Sequence, residues 1–258
     1  MSCLPKHGRV SCARCYEESN TVFDVTKRTD GDWRITANPL SWGSENPEIV
    51  VLGFSKGPTQ VGALASAHHN EIAYKGSREN VGKILAHIGL IPRNPVGGKK
   101  QYIDRLIEDS NGRFHFGSLV RCTVERFDQK SSSWKGSGGG MLDKFIATDF
   151  GSAVATSCVT TFLRELPQKT RLIVMFGLGS NLNYVDSAFS VYQQARPGNW
   201  RKLNSVSYTD GVVTVVHVEH FASQGALIPN WLGENEHPRS TLGNLAKEAV
   251  AQSGLLVG

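Results

Sequence analysis

The chain has 258 residues, 40% hydrophobic and 20% charged, which is close to an ordinary globular composition, so we expect one domain over residues 1–258. No apolar run approaches the ~20 residues that a membrane span requires, and the opening residues (MSCLPKHGRVSCARC) lack the apolar core of a secretory signal. These absences predict a cytoplasmic protein. The formal charge of +5 is compatible with a polyanionic partner, because Lys and Arg release counterions when they neutralise phosphates, but the excess is modest.

The predicted elements begin after an N-terminal arm. Residues 1–46 have few periodic apolar positions and many turn formers, so we expect an irregular, cysteine-containing arm. Residues 48–53 form a continuous apolar run ending in Gly53, the pattern of a parallel strand buried on both faces. Residues 80–90 carry apolar side chains at helical spacing and predict a helix with Gly89 near its end.

The rest of the chain alternates between further strands and helices. We predict strands at 114–121, 171–177 and 212–218, and helices at 142–166 (with a break near Gly151), 180–194 and 241–252 (capped by Thr241). Residues 129–140 (QKSSSWKGSGGG) are rich in Ser and Gly and predict a flexible surface insertion. The alternation predicts an α/β fold, a three-layer sandwich with a mainly parallel central sheet and ligands at the carboxyl ends of its strands.

The five cysteines are an odd number, and cytosolic thiols are kept reduced, so metal ligation explains them better than a disulfide framework. Cys12 and Cys15 form a CxxC pair, a spacing that lets two thiolates from one turn bind one ion or cluster. By itself the pair leaves a redox motif, a zinc site and chance open. Cys122 follows a predicted strand in SLVRC, and Cys158 lies on a predicted helix in CVTTFL.

In these segments the sequence resembles the iron-sulfur-containing family 4 type of the uracil-DNA glycosylase superfamily. That family joins an N-terminal CxxC to a cysteine in a segment like NVVKC and another in a segment like CxxxL. The resemblance implies a four-iron four-sulfur (4Fe-4S) cluster on Cys12, Cys15, Cys122 and Cys158. Such a cluster would hold the arm against the domain, which favours a structural role over a redox role.

The gap between the last two cysteines departs from the family. Residues 123–157 separate them, a longer gap than is usual, and the insertion at 129–140 accounts for most of the excess. A loop can lengthen without moving its ends, because closure entropy grows only logarithmically with length. Zinc on the same four thiolates and free core cysteines are the alternatives. Cys3 is expected to be spare.

The resemblance covers most of the chain from Cys12 onward, including the loop after the first predicted strand. Relatives carry GEAPG or GxNPGP there, and this chain reads GFSKGP at 53–58. Phe54 stands in place of the family 4 glutamate and Ser55 in place of the asparagine of the other branch, so the water-activating carboxylate is missing. The resemblance implies that Ser55 orients water, that Phe54 contacts the base, and that Lys56 and Gly57 contact DNA. Ser55 as a small residue in a tight turn is the alternative.

Two further positions correspond to base contacts in the family. AYKG at 73–76, followed by the predicted helix that ends in Gly89-Leu90, resembles the family's PFVG segment and the helix ending in IGL. Tyr74 would then stack on the extruded base, with a core position as the alternative. Ser118 falls where relatives have an asparagine that reads uracil, and a hydroxyl cannot make the same paired donor and acceptor contacts.

The last motif is VEHFAS at 218–223, which resembles the HPS-type loop after the family's final strand. The resemblance implies that His220 donates to the oxyanion on the departing base, with a structural histidine as the alternative. His217 is a weaker candidate. In the next segment, QGALIPNW, Leu227 and Ile228 are candidate wedges that fill the gap left by an extruded nucleotide, unless they pack beneath the C-terminal helix.

Together these residues predict a DNA glycosylase that hydrolyses the N-glycosidic bond of a deaminated or modified base, uracil or another altered base, and leaves an abasic site. Loss of the carboxylate and of the asparagine favours a bulkier or differently substituted base over uracil. A catalytically inactive module that binds damaged or single-stranded DNA explains the same substitutions. A zinc protein acting on free nucleotides is a third hypothesis. We expect DNA as the partner, no membrane contact, and a monomer.

Overall fold

The computed structural model describes residues 3–16, 20–136 and 141–256, which build an α/β structure with two sheets. The strands are β1 (Gly8–Arg9), β2 (Lys27–Asp30), β3 (Trp33–Thr36), β4 (Leu40–Gly43), β5 (Ile49–Gly53), β6 (Phe114–Ser118), β7 (Thr123–Asp128), β8 (Ser133–Gly136), β9 (Leu172–Phe176), β10 (Arg201–Asn204), β11 (Ser207–Thr209) and β12 (Thr214–Val218). The helices are α1 (Pro58–Ala63), α2 (His69–Ile72), α3 (Arg78–His87), α4 (Gly98–Glu108), α5 (Leu142–Ile146), α6 (Asp149–Phe162), α7 (Asn183–Ala195), α8 (Leu227–Leu232) and α9 (Ser240–Gln252). A 3-10 turn, Ser180–Leu182, precedes α7.

The larger sheet has a parallel centre. Its strand order is β1-β4-β6-β5-β9-β12-β11-β10, and the strands β6, β5, β9 and β12 are parallel. Every residue of β5 and β9 is buried, which explains why both read as unbroken apolar runs. Gly53 pairs with Ser118, and Val218 pairs with Phe176, so the central strands end at one edge. The loops after β5, β9 and β12 therefore meet there.

The outer strands of this sheet are antiparallel. Three of its neighbouring pairs are parallel and four are antiparallel, so the expected mainly parallel sheet is correct only for the centre. The β11–β12 hairpin was missed although Asp210-Gly211 is a turn signal. Asp210 Oδ1 accepts the backbone N–H groups of Val212 (2.9 Å) and Val213 (2.8 Å), and Gly211 has φ +92°.

The helices form two groups that pack within themselves. Helices α5, α6 and α7 contact one another, α3 packs on α4 and α8, and α8 packs on α9. The three-layer arrangement stays a prediction. None of the helices in the described part of the chain is long and apolar enough to cross a membrane.

The N-terminal arm is less irregular than expected. Strands β1 and β4 belong to the larger sheet, and β2 and β3 belong to a second, antiparallel sheet of order β2-β3-β7-β8. Trp33 and Ile35 of β3 and every residue of β4, Trp42 included, are buried. Residues 1, 2 and 17–19 of the arm lie outside the described residues.

The segment at 129–140 also contains a strand. Residues 133–136 form β8, which pairs with β7 and sets Trp134 opposite Phe127, their rings 5.3 Å apart. A flexible loop is therefore the wrong description of this part. Residues 137–140 lie outside the described residues.

The predicted helix at 142–166 is two helices. The break falls at 147–148, and Thr148 caps α6 by accepting the Gly151 N–H at 3.0 Å. Gly151 lies where α5 and α6 touch, since a Cβ there would meet the Phe145 carbonyl oxygen at 1.9 Å. The predicted cap of the last helix, Thr241, was wrong, because α9 begins one residue earlier and is preceded by Arg239.

Candidate functional site

Two neighbouring cavities open where the parallel strands end. The glycine-loop cavity, of about 400 Å³, is bounded by residues 177–181 after β9, and the aromatic cavity, of about 500 Å³, is bounded by Tyr74 and Phe221. The residues that line both cavities are Ser55, His220, Ser223 and Leu227. Volumes of this size are those of small-molecule sites. The structure thus brings three of the predicted site residues to one shared wall.

The loop that carries His220 is built around Glu219, whose side chain is 3% exposed. One carboxylate oxygen, Oε1, accepts the backbone N–H of His220 at 3.0 Å and the Ser223 hydroxyl at 2.7 Å. The other, Oε2, accepts from Nε of Arg239. Neither Glu219 nor Arg239 was predicted from the sequence. The position of Glu219 next to a candidate histidine was a usable signal, whereas nothing in the sequence marks Arg239.

The hydrogen bonds of His220 determine its tautomer. Its Nδ1 accepts the backbone N–H of Ala222 at 3.2 Å, so a neutral ring carries its proton on Nε2. Burial lowers the pKa of His220 below its ordinary value, and nearby Glu219 opposes that shift in part. The ring stacks on Phe221 with the centroids 4.3 Å apart. A neutral imidazole with an Nε2–H donor therefore stands at the shared wall.

The loop after β5 also lines the cavities. Ser55 Oγ accepts the Val124 N–H at 3.4 Å, and Gly57 caps α1 and lines the aromatic cavity. Phe54 is buried, lines the glycine-loop cavity and lies 5.9 Å from the Phe145 ring. Phe54 was expected to contact the base, and this contact stays a prediction.

Lys56 does not lie where a DNA contact was expected. The side chain is 1% exposed, and its amine donates to the backbone carbonyl of Arg121. The predicted DNA contact of Lys56 is therefore wrong, because the chain after Ser55 turns this side chain inward. Burial lowers the pKa of Lys56 to about 8, and the proximity of Cys122, Cys158 and Asp24 opposes that shift.

Tyr74 lines the aromatic cavity but belongs to the core. It is 4% exposed, has φ +52°, and donates from its hydroxyl to the Val51 carbonyl at 3.5 Å. Its ring meets Phe116, Phe176 and Phe221 edge-on at 5.0–6.0 Å. The three contacts fix the ring plane, and stacking on a base stays a prediction.

Of the four remaining predicted residues, Leu227 lines the cavities, and Ile228, Ser118 and His217 do not. Leu227, 38% exposed, lines both cavities from the start of α8, whereas Ile228 is buried and lines neither. Ser118 is half-buried opposite Gly53 and lines neither cavity. His217 is buried and structural: its Nδ1 donates to the Gly177 carbonyl at 3.0 Å, and its Nε2 accepts the Tyr208 hydroxyl at 3.1 Å.

The floor of the glycine-loop cavity contains a third residue that was not predicted, Tyr184. It is 5% exposed, lines the cavity, and its hydroxyl has no hydrogen-bond partner among the residues that the structure describes. Glycines let the loop above it pack closely, because a Cβ at Gly179 would lie 2.1 Å from Asn183 Oδ1. The Gly177-Leu178-Gly179 pattern was the available signal for this floor.

Two of the four predicted ligand cysteines are in contact. The Cys158 thiol hydrogen-bonds to Cys15 and, more than any other cause, lowers the pKa of Cys15 to about 7. The pKa values of Cys158 and Cys122 are raised, the first chiefly by the Cys15 contact and the second by burial, and Cys122 lies near Cys15. Cys12 is half-buried and Cys3 is exposed.

A metal site is not evident from this arrangement. Among residues 3–16, 20–136 and 141–256, no group of three or more His, Cys, Asp or Glu side chains could hold a metal ion. Burial lowers the pKa of Arg121 to about 10, while Cys158 and Cys12 raise it, so both lie near its guanidinium. Metal binding by the cysteines stays a prediction.

The comparisons with known proteins return little. No family model matches the chain, and no curated protein matches it. Among solved structures, the crystal structure of wild-type SMUG2 from Pedobacter heparinus matches 81% of this chain and 77% of its own, with a TM-score of 0.38 and 9% sequence identity. A likeness at this level carries no argument about fold or activity.

Proposed function

We propose that the protein is a DNA glycosylase that removes a deaminated or modified base from DNA. The observation that supports this proposal best is the neutral His220, whose Nε2–H is a donor at the wall shared by two cavities. Such a donor stabilises charge that develops on the oxygen of a departing base. Glu219 and Arg239 hold the loop that presents it.

The residues present favour a dissociative reaction. The bond between C1′ of the sugar and the base nitrogen breaks first, and its electron pair leaves with the base, whose oxyanion accepts a hydrogen bond from His220. Water then adds to C1′ of the oxocarbenium ion and loses a proton to solvent, which leaves an abasic site. Ser55, which lines both cavities, orients this water. Phe54 supplies no carboxylate to this loop, and the carboxylate of Glu219, which lines the glycine-loop cavity, is bonded to His220, Ser223 and Arg239, so we do not assign it as the base for the water.

DNA would enter over the shared wall. The aromatic cavity, bounded by Tyr74 and Phe221, is apolar and suits the flat face of a base. Leu227 is exposed beside it and suits the predicted role of a wedge. Ser118 would act only through a substrate that reaches beyond the two cavities.

Excision from a panel of altered bases tests the proposal. Oligonucleotides carrying single altered bases are incubated with the protein and then cleaved at abasic sites with alkali. We expect strand breaks for at least one base, reduced ~10²–10³-fold in His220→Ala, the range for losing one such donor. His68→Ala is the matched control, because His68 is exposed and outside both cavities, and its Nδ1 likewise accepts a backbone N–H. Breaks that persist in His220→Ala would remove His220 from the reaction.

The second candidate function is a DNA-binding module without catalysis. Phe54 at the carboxylate position favours it, since a buried ring there excludes a water-activating group. Salt-dependent DNA binding without strand breaks across the whole panel would select this alternative.

We also propose that Cys12, Cys15, Cys122 and Cys158 hold a 4Fe-4S cluster, with zinc as the alternative. The chemistry of the donor set supports this: the thiols of Cys15 and Cys158 touch, and the buried cations Lys56 and Arg121 lie beside thiols. Four thiolates around a cluster carry net negative charge, which offsets buried positive charge. When bound, the group would tie the arm to the start of β7, next to Cys122, and to α6, which carries Cys158.

Metal analysis of protein prepared without oxygen tests the cluster. A brown protein with broad absorbance near ~400 nm and bound iron is expected, and Cys158→Ser should lose both. Cys3→Ser is the control, because Cys3 is exposed. Stoichiometric zinc in a colourless protein selects the alternative, and a metal-free folded protein refutes both.

A further inference from the structure

The β7–β8 hairpin lies beside the candidate site. A Cβ on Gly136, at the end of β8, would come within 3.0 Å of the Pro58 ring, which lines the aromatic cavity. At the start of β7, the Val124 N–H donates to Ser55 at the shared wall. Nucleic acid engaged at that wall would therefore pass close to the hairpin.

One face of the hairpin places two positive charges directly opposite each other. Arg126 on β7 pairs in register with Lys135 on β8, and both line a groove of about 410 Å³ together with Lys130. Like charges at facing positions of an antiparallel pair destabilise it. Neither Arg126 nor Lys135 has an ion-pair partner within 4.0 Å in the described part of the chain, although Arg126 lies over the Trp33 ring at 5.4 Å.

Two acidic residues, Asp32 and Asp128, also line the groove, and the charge of Asp128 interacts with that of Lys135. Asp128 accepts the Lys130 N–H at 3.0 Å and the Ser131 hydroxyl at 2.8 Å, which closes the hairpin turn. Asp32 is exposed, and its backbone carbonyl accepts the Phe127 N–H. In the described part of the chain, neither carboxylate forms an ion pair with Arg126 or Lys135 within 4.0 Å, so both cations can contact an external anion.

We propose that this groove binds the phosphate backbone of DNA beside the flipped nucleotide, with Arg126 and Lys135 as the phosphate contacts. The inference rests on the proposed function for the position of the DNA. A phosphate between the two side chains converts their repulsion into two attractive contacts, and each contact releases a counterion.

The salt dependence of DNA binding tests the groove. A labelled duplex with a stable abasic-site analogue is titrated with the full chain over a series of KCl concentrations, by fluorescence anisotropy. Arg126→Gln and Lys135→Gln are each expected to reduce the slope of log K against log salt by about 1, and the double variant by about 2. Arg201→Gln/Lys202→Gln, an exposed Arg-Lys pair on β10, which is an edge strand of the larger sheet and not of the hairpin's sheet, should keep the wild-type slope.

The outcomes separate this inference from the proposed function. A hairpin double variant that keeps the wild-type slope overturns the inference, as does a wild-type protein that does not bind DNA or a control that loses as much. Excision is measured on the same proteins. If no base is removed while the hairpin variants still show a reduced salt dependence of DNA binding, the glycosylase proposal is wrong and the proposed phosphate contacts of the groove are supported. Melting temperatures equal to or above wild type show that the variants are folded.

Discussion

The guanidinium of Arg239 pairs with the carboxylate of Glu219 across 20 residues of chain, and that carboxylate is nearly inaccessible to solvent. The same carboxylate holds His220 and Ser223, so the pair positions the loop that bounds both cavities.

Glu219→Gln is expected to destabilise the protein by about 3 kcal/mol, because it removes the negative charge that faces Arg239 in a largely buried pair. Urea unfolding measures the change. Asp186→Asn is the matched control, since its pair with Lys202 is about half exposed and should contribute only ~0–1 kcal/mol. Equal losses in both variants would contradict a buried ion pair at Glu219.

Excision should not titrate near the ordinary pKa of histidine. Burial lowers the pKa of His220, and the neutral ring is the form with the Nε2–H donor, so the active form persists below ~pH 6.5. We expect a flat rate from about pH 8 down to about pH 6.5, with a decline only on further acidification. A single-turnover pH profile checks this, and a rate that halves near pH 6.5 would contradict a lowered pKa.

Acid should destabilise the fold through two buried histidines. Burial lowers the pKa of His217 to about 4 and that of His115 to about 3, against ~6.5 when unfolded. As the pH falls below ~6.5, these histidines bind protons in the unfolded chain but not in the folded chain. The free energy of unfolding therefore decreases until the pH reaches the pKa values of the folded state.

The expected loss is several kcal/mol between about pH 6.5 and about pH 4, measured by urea unfolding across that range. In His217→Gln the decline should be shallower than in wild type. A stability that does not change with pH in this window would mean that neither histidine is buried in its neutral form.

Tyr184→Phe is expected to leave stability unchanged or to raise it, because the hydroxyl that it removes is buried without a partner. Tyr208→Phe is the contrast, since it removes the hydroxyl bonded to His217 at 3.1 Å and should cost about 1 kcal/mol. Thermal unfolding of the two variants compares them. A larger loss for Tyr184→Phe would show that its hydroxyl is bonded.

Local patterns predicted the parallel centre well. The apolar runs of β5 and β9 are unbroken because both faces of a central parallel strand are covered. Since this requires several consecutive apolar residues, the two strands can be recognised from the local sequence. Strands β3 and β4 were missed because four-residue strands have too little sequence to show a period. Their place in a sheet depends on partners far along the chain, such as Phe116 opposite Trp42.

The residues of the candidate site that belong to a sequence motif were predicted. The residues that reach the site only through tertiary packing were missed. His220 and Ser55 could be found from their position after strands. Arg239 could not, because its role comes from an ion pair that exists only in the folded chain. Tyr184 was not predicted either, although the Gly177-Leu178-Gly179 pattern was a signal for the cavity that it lines. For Lys56 a contact was predicted that the folded chain does not allow. A lysine in a loop is expected to be exposed, whereas this amine is buried and donates to a backbone carbonyl.

The order of strands in the larger sheet also bears on how the chain is made. Strand β5 lies between β6 and β9, and β9 lies between β5 and β12. Each of these two strands therefore pairs with at least one strand that leaves the ribosome later in synthesis. A nascent chain that ends before residue 214 presents β9 as an open apolar edge, the kind of surface on which other chains add strands. Chaperone protection during synthesis would therefore matter most in the interval between the appearance of β9 and that of β12.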